Sequence, residues 1–190
     1  MNCRISCRIL SGLSAAYMII KNIFNGRVLL LNLERASLPD GRSVDLEIIR
    51  HPGGACALPV HDDGNIILIR QYRHAAGGII WELPAGRINN NEEPESCARR
   101  ELKEETGFEA GKMEKIGEFF STPGFCTELL HIYLATQLTT CKHDPEDDEY
   151  IEIEKLPYAT ALHMVYSGEI KDSKTMIALL LAKDRFSKKL

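Results

Sequence analysis

Residues 86–108 read GRINNNEEPESCARRELKEETGF, and this stretch contains the best-defined helix of the chain. Pro94 suits the first turn of a helix, where its missing N–H is not needed. Strong helix formers follow, and Gly107 stands where a left-handed C-terminal cap belongs. The pattern predicts a helix over residues 94–106.

The acidic side chains of this helix fall on its apolar side. At about 100° per residue, Glu101 and Glu105 lie about 60° and about 20° from Ala98, next to the apolar Leu102. Glu104 lies at the edge of the same stripe. Like charges this close repel one another, so a positive group should offset them. A hard divalent cation such as Mg²⁺ takes oxygen ligands and is the natural candidate.

Basic residues on the helix offer a second way to balance these acids. Arg100, one turn before Glu104, can supply a fixed positive charge and orient a carboxylate. The alternative to a metal site is an ordinary solvated helix face, in which the glutamates have Arg99, Arg100 and Lys103 as neighbours.

The spacing of the whole stretch resembles the Nudix box of the Nudix hydrolases: Gly86, five residues, Glu92, seven residues, then RELKEETGF at residues 100–108. Every defined position matches. The family hydrolyses nucleoside diphosphates linked to another group, and its box glutamates hold Mg²⁺ or Mn²⁺ in a loop–helix–loop. The resemblance gives Gly86 and Glu92 mainly structural roles.

The same resemblance implies a ligand set for the metal. Glu101 and Glu105 would be the principal ligands, and Glu104 a further ligand or an orienting residue. Arg100 would fix these carboxylates. The backbone carbonyl of Ala85, just before the box, would be an additional ligand. Metal ions in such sites polarise phosphoryl oxygens and help to generate hydroxide from water.

The resemblance implies an α/β fold, a Nudix-fold α/β/α sandwich with a mixed sheet, preceded by a small N-terminal antiparallel β region. Residues 1–21 are then an N-terminal extension of unassigned structure, and residues 22–50 are the β region. Residues 51–190 form the Nudix hydrolase domain. A homodimer is expected, because the β region resembles a small domain that is exchanged between subunits in dimeric members.

Extended segments between turn signals predict the strands. An N-terminal hairpin is expected from residues 27–34 and 43–49. The other predicted strands cover residues 55–60, 66–71, 79–83, 115–120 and 129–138. Two more helices are expected over residues 158–167 and 173–186, and residues 84–86 are expected to form a loop.

Three segments resemble the ADP-ribose pyrophosphatase subfamily: LIRQYR at residues 68–73, WELPAG at residues 81–86, and Pro123, fifteen positions after the box. The implied reaction is hydrolysis of the pyrophosphate bond of ADP-ribose to AMP and ribose 5-phosphate. Glu128 follows in the same loop as Pro123, and similar enzymes use a glutamate there as general base or to position the attacking water. The alternative is a solvated loop glutamate.

Three arginines and one glutamate are candidate substrate-binding residues. A guanidinium binds phosphate oxygens in bidentate fashion, so Arg73 is a candidate phosphate clamp. Arg70 and Arg50 are further candidates. Glu82, just ahead of the box, could contact the terminal ribose or the metal cluster. Alternatively it is only a paired strand carboxylate.

Other functions compete with the leading hypothesis. The box specifies a pyrophosphate and not the attached group, so GDP-mannose or a UDP-sugar is an alternative substrate. A non-catalytic ADP-ribose sensor is another alternative, although the intact glutamates argue against it. A calcium site in the acidic run at residues 144–149 lacks the spacing of an EF-hand loop.

Composition and charge limit the partners and the cellular location that we expect for the protein. The 190 residues carry a formal net charge of -4, which argues against nucleic acid as a partner. No uncharged apolar run approaches the roughly 20 residues that span a bilayer, so no membrane partner is expected. Six dispersed cysteines in a chain with enough apolar residues for a core are expected to be reduced thiols. The expected location is the cytoplasm.

Overall fold

The computed structural model describes residues 17–143 and 150–186. Most of the predicted N-terminal extension therefore lies outside the described residues, as does the acidic run at residues 144–149. The described chain divides into two compact units. One contains the residues up to His51 together with Thr122–Glu128, and the other contains the rest.

The first unit holds a three-stranded antiparallel sheet in the order β1-β2-β3. Its strands are β1 (Tyr17–Asn25), β2 (Leu30–Ser37) and β3 (Ser43–Arg50). The predicted hairpin is confirmed as β2 and β3, which pair from Leu30 opposite Arg50 to Ser37 opposite Ser43. Strand β1 was not predicted. It begins at Tyr17, so the last five residues assigned to the extension belong to the β region.

The described residues of the second unit form seven strands, three helices and a short 3₁₀ turn at His74–Ala76. The strands are β4 (Gly54–Pro59), β5 (Asn65–Arg73), β6 (Gly78–Glu82), β7 (Ala85–Arg87), β8 (Phe108–Phe120), β9 (Leu129–Thr140) and β10 (Ile151–Pro157). The helices are α1 (Pro94–Thr106), α2 (Tyr158–Ser167) and α3 (Ser173–Phe186).

The strands of this unit form two sheets. One has the order β7-β4-β9-β8, and the other has the order β10-β5-β6. Strands β4 and β9 run parallel, whereas β7 and β8 are antiparallel to their neighbours. The four-stranded sheet is therefore mixed, as expected.

Strand β4 shows how the layers are arranged, because its successive side chains enter different cores. Ala55 and Ala57 pack in clusters that contain Ala98 and Leu102 of α1. Leu58 packs in the cluster that contains residues of α2 and α3. One face of the sheet is therefore covered by α1 and the opposite face by α2 and α3, which is the predicted α/β/α sandwich.

All three helices have their predicted bounds. Three details of the strand prediction for the second unit were wrong. Residues 84–86 were expected to be a loop, but Ala85–Arg87 pairs with β4 as a short strand. Strand β8 begins at Phe108 and not at residue 115, and β10 was not predicted. Within the described ranges, no helix combines the length and apolar character needed to cross a bilayer.

Candidate metal and catalytic site

Helix α1 carries the acidic cluster. Pro94 occupies its first turn, and Gly107 caps its C-terminus with a φ of 67° while donating its N–H to the carbonyl of Lys103. Glu101 and Glu105 are buried on the face that also buries Leu102. This confirms that two acids turn toward the body of the unit. The solvated-face alternative does not describe them.

Arg100 gathers three of the carboxylates. Its Nε lies 2.9 Å from Glu92 Oε1, and its Nη1 lies 2.6 Å from Glu101 Oε1 and 3.0 Å from Glu104 Oε2. The pKa of Arg100 is raised above its usual value, and the largest cause is its hydrogen bonding to Glu92. The contacts with Glu101 and Glu104 raise this pKa further. The hydrogen bond from Arg100 in turn lowers the pKa of Glu92. Glu92 thus acts as an anchor for the arginine.

Gly86 leaves room for the carboxylate of Glu101. A Cβ atom at residue 86 would stand 1.9 Å from Glu101 Oε1, far inside van der Waals contact. The absent side chain at Gly86 therefore lets a buried carboxylate lie directly against the backbone of β7. This close approach is the structural reason for glycine at the first position of the box.

Glu105 is tied to the segment before the box. The backbone N–H of Ala85 donates to Glu105 Oε2 at 2.8 Å. The neighbouring Pro84 carbonyl accepts from the N–H of Ala57 on β4 at 3.1 Å. The predicted ligand Ala85 and the predicted ligand Glu105 are thus adjacent.

The donor chemistry of this cluster fits a hard divalent cation. Glutamate carboxylates and a backbone carbonyl are oxygen ligands of the kind that Mg²⁺ prefers, and the space that Gly86 leaves open admits a carboxylate at the backbone. Among the residues that the structure describes, no three histidine, cysteine or acidic side chains converge on one point as ligands. Glu101 and Glu104 contact Arg100 in this arrangement.

Glu82 lies in a separate buried ion cluster. It is 2% exposed and accepts from Arg73 Nε at 2.8 Å and from Arg73 Nη2 at 3.0 Å. Lys174 at the start of α3 donates to Glu82 and lies 3.0 Å from Asp172 Oδ1. Burial alone would raise the pKa of Glu82, but Arg73 and Lys174 together lower it.

Two interpretations of Glu82 were open, a contact with the ribose or the metal cluster and a paired strand carboxylate. The ion pairs of Glu82 agree with the second. Glu82 also engages Arg73, the candidate phosphate clamp, in a bidentate ion pair. Thr175 extends the network, since its hydroxyl donates to Asp172 and accepts from the N–H of Leu83. The segment just before the box is thereby held by α3.

The other two candidate arginines each form an ion pair with a glutamate outside α1. Arg70 pairs with Glu152 of β10 at 2.9 Å and lies over the ring of Trp81. Arg50 belongs to the first unit, where it pairs with the buried Glu34 and lies over the ring of Tyr17, 4.1 Å from its centroid.

Glu128 also belongs to the first unit, at the end of the segment Thr122–Glu128. Its Oε1 lies 3.5 Å from Nδ1 of His51, and its side chain is partly exposed. The carboxylate therefore lies near an imidazole and keeps part of its surface exposed. Pro123 occupies an exposed position in the same segment.

The family model described as NUDIX domain matches residues 50–178. The chain belongs to the Nudix hydrolase family. A curated relative from Bacillus subtilis (strain 168), named ADP-ribose pyrophosphatase, is 40% identical over 161 residues, which cover 84% of this chain and 87% of the relative.

Other relatives of this Nudix hydrolase carry different names. The methanol dehydrogenase activator of Bacillus methanolicus is 36% identical over 161 residues, with 84% and 87% of the two chains covered. The GDP-mannose pyrophosphatase of Salmonella typhimurium is 38% identical over 160 residues, with 70% and 78% covered. A solved structure described as ADP compounds hydrolase matches with a TM-score of 0.76 and 20% identity. The match covers 94% of this chain and 98% of that structure's chain, and it supports the fold.

Nudix hydrolases generally need a divalent metal, and the cluster on α1 of this enzyme has the matching donor chemistry. Sequence reasoning missed two sets of side chains that hold the candidate residues. Asp172, Lys174 and Thr175 follow the end of the box by about 65 residues. His51 is 77 positions from Glu128. No local spacing could have signalled either partnership.

Proposed function

We propose that this Nudix hydrolase cleaves the pyrophosphate bond of ADP-ribose with water, giving AMP and ribose 5-phosphate. The observation that carries the proposal is the acidic cluster around α1, in which Arg100 contacts Glu92, Glu101 and Glu104 and Glu105 accepts from the Ala85 backbone. The 40% identity to the Bacillus subtilis ADP-ribose pyrophosphatase supports ADP-ribose as the substrate.

The proposed cofactor is Mg²⁺, with Mn²⁺ as the alternative metal. Glu101, Glu105 and the Ala85 carbonyl would hold it, and Glu104 would be a further ligand or an orienting residue. When bound, such a cation polarises phosphoryl oxygens and lowers the pKa of bound water. Arg100 would help to hold these carboxylates for the metal, because its guanidinium contacts Glu101 and Glu104 and stays charged at any working pH.

The remaining roles belong to groups outside α1. Glu128 is proposed as the general base, or as the group that positions the attacking water. Arg73, Arg70 and Arg50 are proposed as substrate-binding residues. Each keeps about a third or more of its side chain exposed despite its ion pair, which leaves surface for phosphate oxygens. Glu82 is proposed to act through Arg73, whose guanidinium it orients.

A homodimer is part of the proposal, and strand β1 supports it. In the part of the chain that the structure describes, this strand is an edge of its sheet, and every one of its residues is exposed. Its large apolar side chains are Tyr17, Met18, Ile19, Ile20, Ile23 and Phe24. An exposed apolar edge strand is a liability in a monomer and a ready site for pairing with a second copy.

The setting proposed for the enzyme is the cytoplasm, with neither nucleic acid nor membrane as a partner. The four cysteines that the structure describes, Cys56, Cys97, Cys126 and Cys141, are free thiols, which suits a reducing compartment. The net charge of -4 opposes binding to phosphate backbones.

GDP-mannose is the second candidate substrate, because the Salmonella typhimurium relative named for it is 38% identical. The test is release of phosphatase-sensitive monophosphates from ADP-ribose, GDP-mannose, UDP-glucose and diadenosine polyphosphates, with Mg²⁺, with Mn²⁺ and with EDTA. We expect EDTA-sensitive cleavage that prefers ADP-ribose. Preference for GDP-mannose would reassign the substrate. Binding of ADP-ribose without cleavage of any compound would favour a sensor.

A further inference from the structure

The segment Thr122–Glu128 is fastened to the end of strand β3. The N–H of Ile49 donates to the carbonyl of Phe125 at 2.7 Å, and the N–H of Thr127 donates to the carbonyl of Ile49 at 3.0 Å. Ile49 and Cys126 thereby form a parallel bridge. The residues just before Glu128 are thus held as if they were a short strand beside β3.

The hydroxyl of Thr127 extends this attachment to His51, the residue that follows β3. It accepts from the N–H of His51 at 3.0 Å and donates to the carbonyl of His51 at 3.3 Å. One side chain therefore engages both backbone groups of His51. Because Thr127 directly precedes Glu128, this pair of bonds fixes the backbone from which the Glu128 side chain starts.

The side chain of His51 then meets the carboxylate itself. Its Nδ1 lies 3.5 Å from Glu128 Oε1, and the side chains are 13% and 27% exposed. The imidazole is largely enclosed, so it has few alternative positions. Glu128 is in this way restrained twice, at its backbone by Thr127 and at its carboxylate by His51.

We infer that His51 and Thr127 are positioning residues that hold the Glu128 carboxylate in the orientation needed for catalysis. The inference rests on the proposed function, in which Glu128 acts on the attacking water. It also gives the N-terminal β region a role beyond self-association, since β3 leads directly into His51. A misoriented base lowers the rate of the chemical step and therefore kcat, whereas substrate affinity depends on other groups.

The first test is a double-mutant cycle in the full chain. Thr127→Val keeps the shape of the side chain and removes both hydrogen bonds, and Thr127→Ser keeps the hydroxyl. We expect Thr127→Val to lower kcat for ADP-ribose about 10-fold with KM within about twofold, and Thr127→Ser to stay near wild type. In a Glu128→Gln background, Thr127→Val should lower kcat less than about twofold further. An equal loss in both backgrounds, or a change in KM alone, would overturn the inference.

His51 offers a second series that does not depend on the backbone bonds. His51→Asn places an amide nitrogen near the position of Nδ1, and His51→Leu removes the polar group. We expect the asparagine variant to retain several-fold more kcat than the leucine variant. His163→Gln, an exposed histidine on α2, is the matched control and should leave kcat unchanged. Equal kcat values for the two His51 variants would contradict a positioning role for the ring.

Amide hydrogen exchange of the intact chain separates this inference from the proposed function. Thr127→Val should speed exchange of peptides that cover His51 and residues 122–128 by about 10-fold, with no change in α1. Unchanged protection would overturn the inference whatever the activity. A wild-type chain that hydrolyses no substrate would overturn the proposed function, and unchanged kcat in Glu128→Gln would remove both the base and the need to position it.

Discussion

The backbone N–H of Ala85 donates a hydrogen bond to the carboxylate of Glu105, with 2.8 Å between nitrogen and oxygen. This bond joins the last turn of α1 to the start of β7. It orients one carboxylate oxygen through a main-chain group and not through another side chain. The geometry of the site is therefore fixed partly by the backbone of the sheet.

Substituting Glu105 tests the ligand assignment. Glu105→Gln keeps the size of the side chain and removes its charge, so we expect kcat to fall by at least about 100-fold with little change in the melting temperature. The measurement is ADP-ribose hydrolysis over a range of Mg²⁺ concentrations. Unchanged turnover at low Mg²⁺ would show that Glu105 is not a ligand.

The close approach at Gly86 predicts a site-specific effect of a single methyl group. In Gly86→Ala the new Cβ would stand 1.9 Å from Glu101 Oε1 and would displace that carboxylate. We expect at least about a 10-fold lower kcat and weaker activation by Mg²⁺. Gly78→Ala is the matched control, since a Cβ there meets nothing within 4 Å. Equal activity of the two variants would contradict the role given to Gly86.

Arg100 differs from its neighbour Arg99 in what it contacts. The guanidinium of Arg100 joins three carboxylates, and a lysine ammonium cannot reproduce that planar geometry. Arg100→Lys should lower kcat about 10- to 100-fold. Arg99→Lys alters only an exposed helical pair with Glu95 and a carbonyl contact, so its kcat should stay within about twofold. Steady-state kinetics of both variants checks the difference.

The buried Glu82 predicts a pH dependence of stability. Its folded-state pKa is lowered, so the stabilisation it gives is complete above the usual carboxyl pKa of about 4.3. This stabilisation is lost as the pH falls through that value toward the folded-state pKa. Between pH 7 and pH 3 the unfolding free energy of wild type should fall more steeply than that of Glu82→Gln. The measurement is urea unfolding of both proteins at several pH values. An equal fall of the unfolding free energy with pH in the two proteins would contradict this prediction.

Strand β1 predicts the oligomeric state. Sedimentation velocity should show a dimer, and Met18→Asp should shift it toward monomer because a charge enters an apolar edge strand. Tyr166→Asp, at a comparably exposed aromatic on α2, should leave the dimer intact. A monomeric wild type would remove β1 as an interface.

The sequence predicted some elements well because their determinants are local. Helix α1 has a proline at its start, a glycine cap at its end and an apolar stripe between them, so both of its ends could be assigned. Strand β7 has only three residues and no periodicity, and it forms because β4 lies beside it. Strand β10 likewise depends on β5, more than 75 positions away in the chain.

In the site, too, contacts between residues that are close in sequence could be predicted, and contacts between distant residues could not. The spacing of the box placed Arg100 and its carboxylates together, since neighbours on a helix are set by its pitch. The partners of Glu82 and Glu128 could not be predicted in this way. Lys174 is 92 positions from Glu82, and only the packing of α3 brings them together.

Four of the buried residues between α1 and the sheet have small side chains. Ala55, Ala57, Cys97 and Ala98 are completely buried there, with little more than a methyl or thiol group each. Their size sets how near the helix axis can come to the strands, and hence the height of the glutamates above the backbone of β7. The position of the acidic side chains of α1 thus depends on small buried side chains beneath the helix, and a single added methylene in this layer would displace the helix that carries those acids.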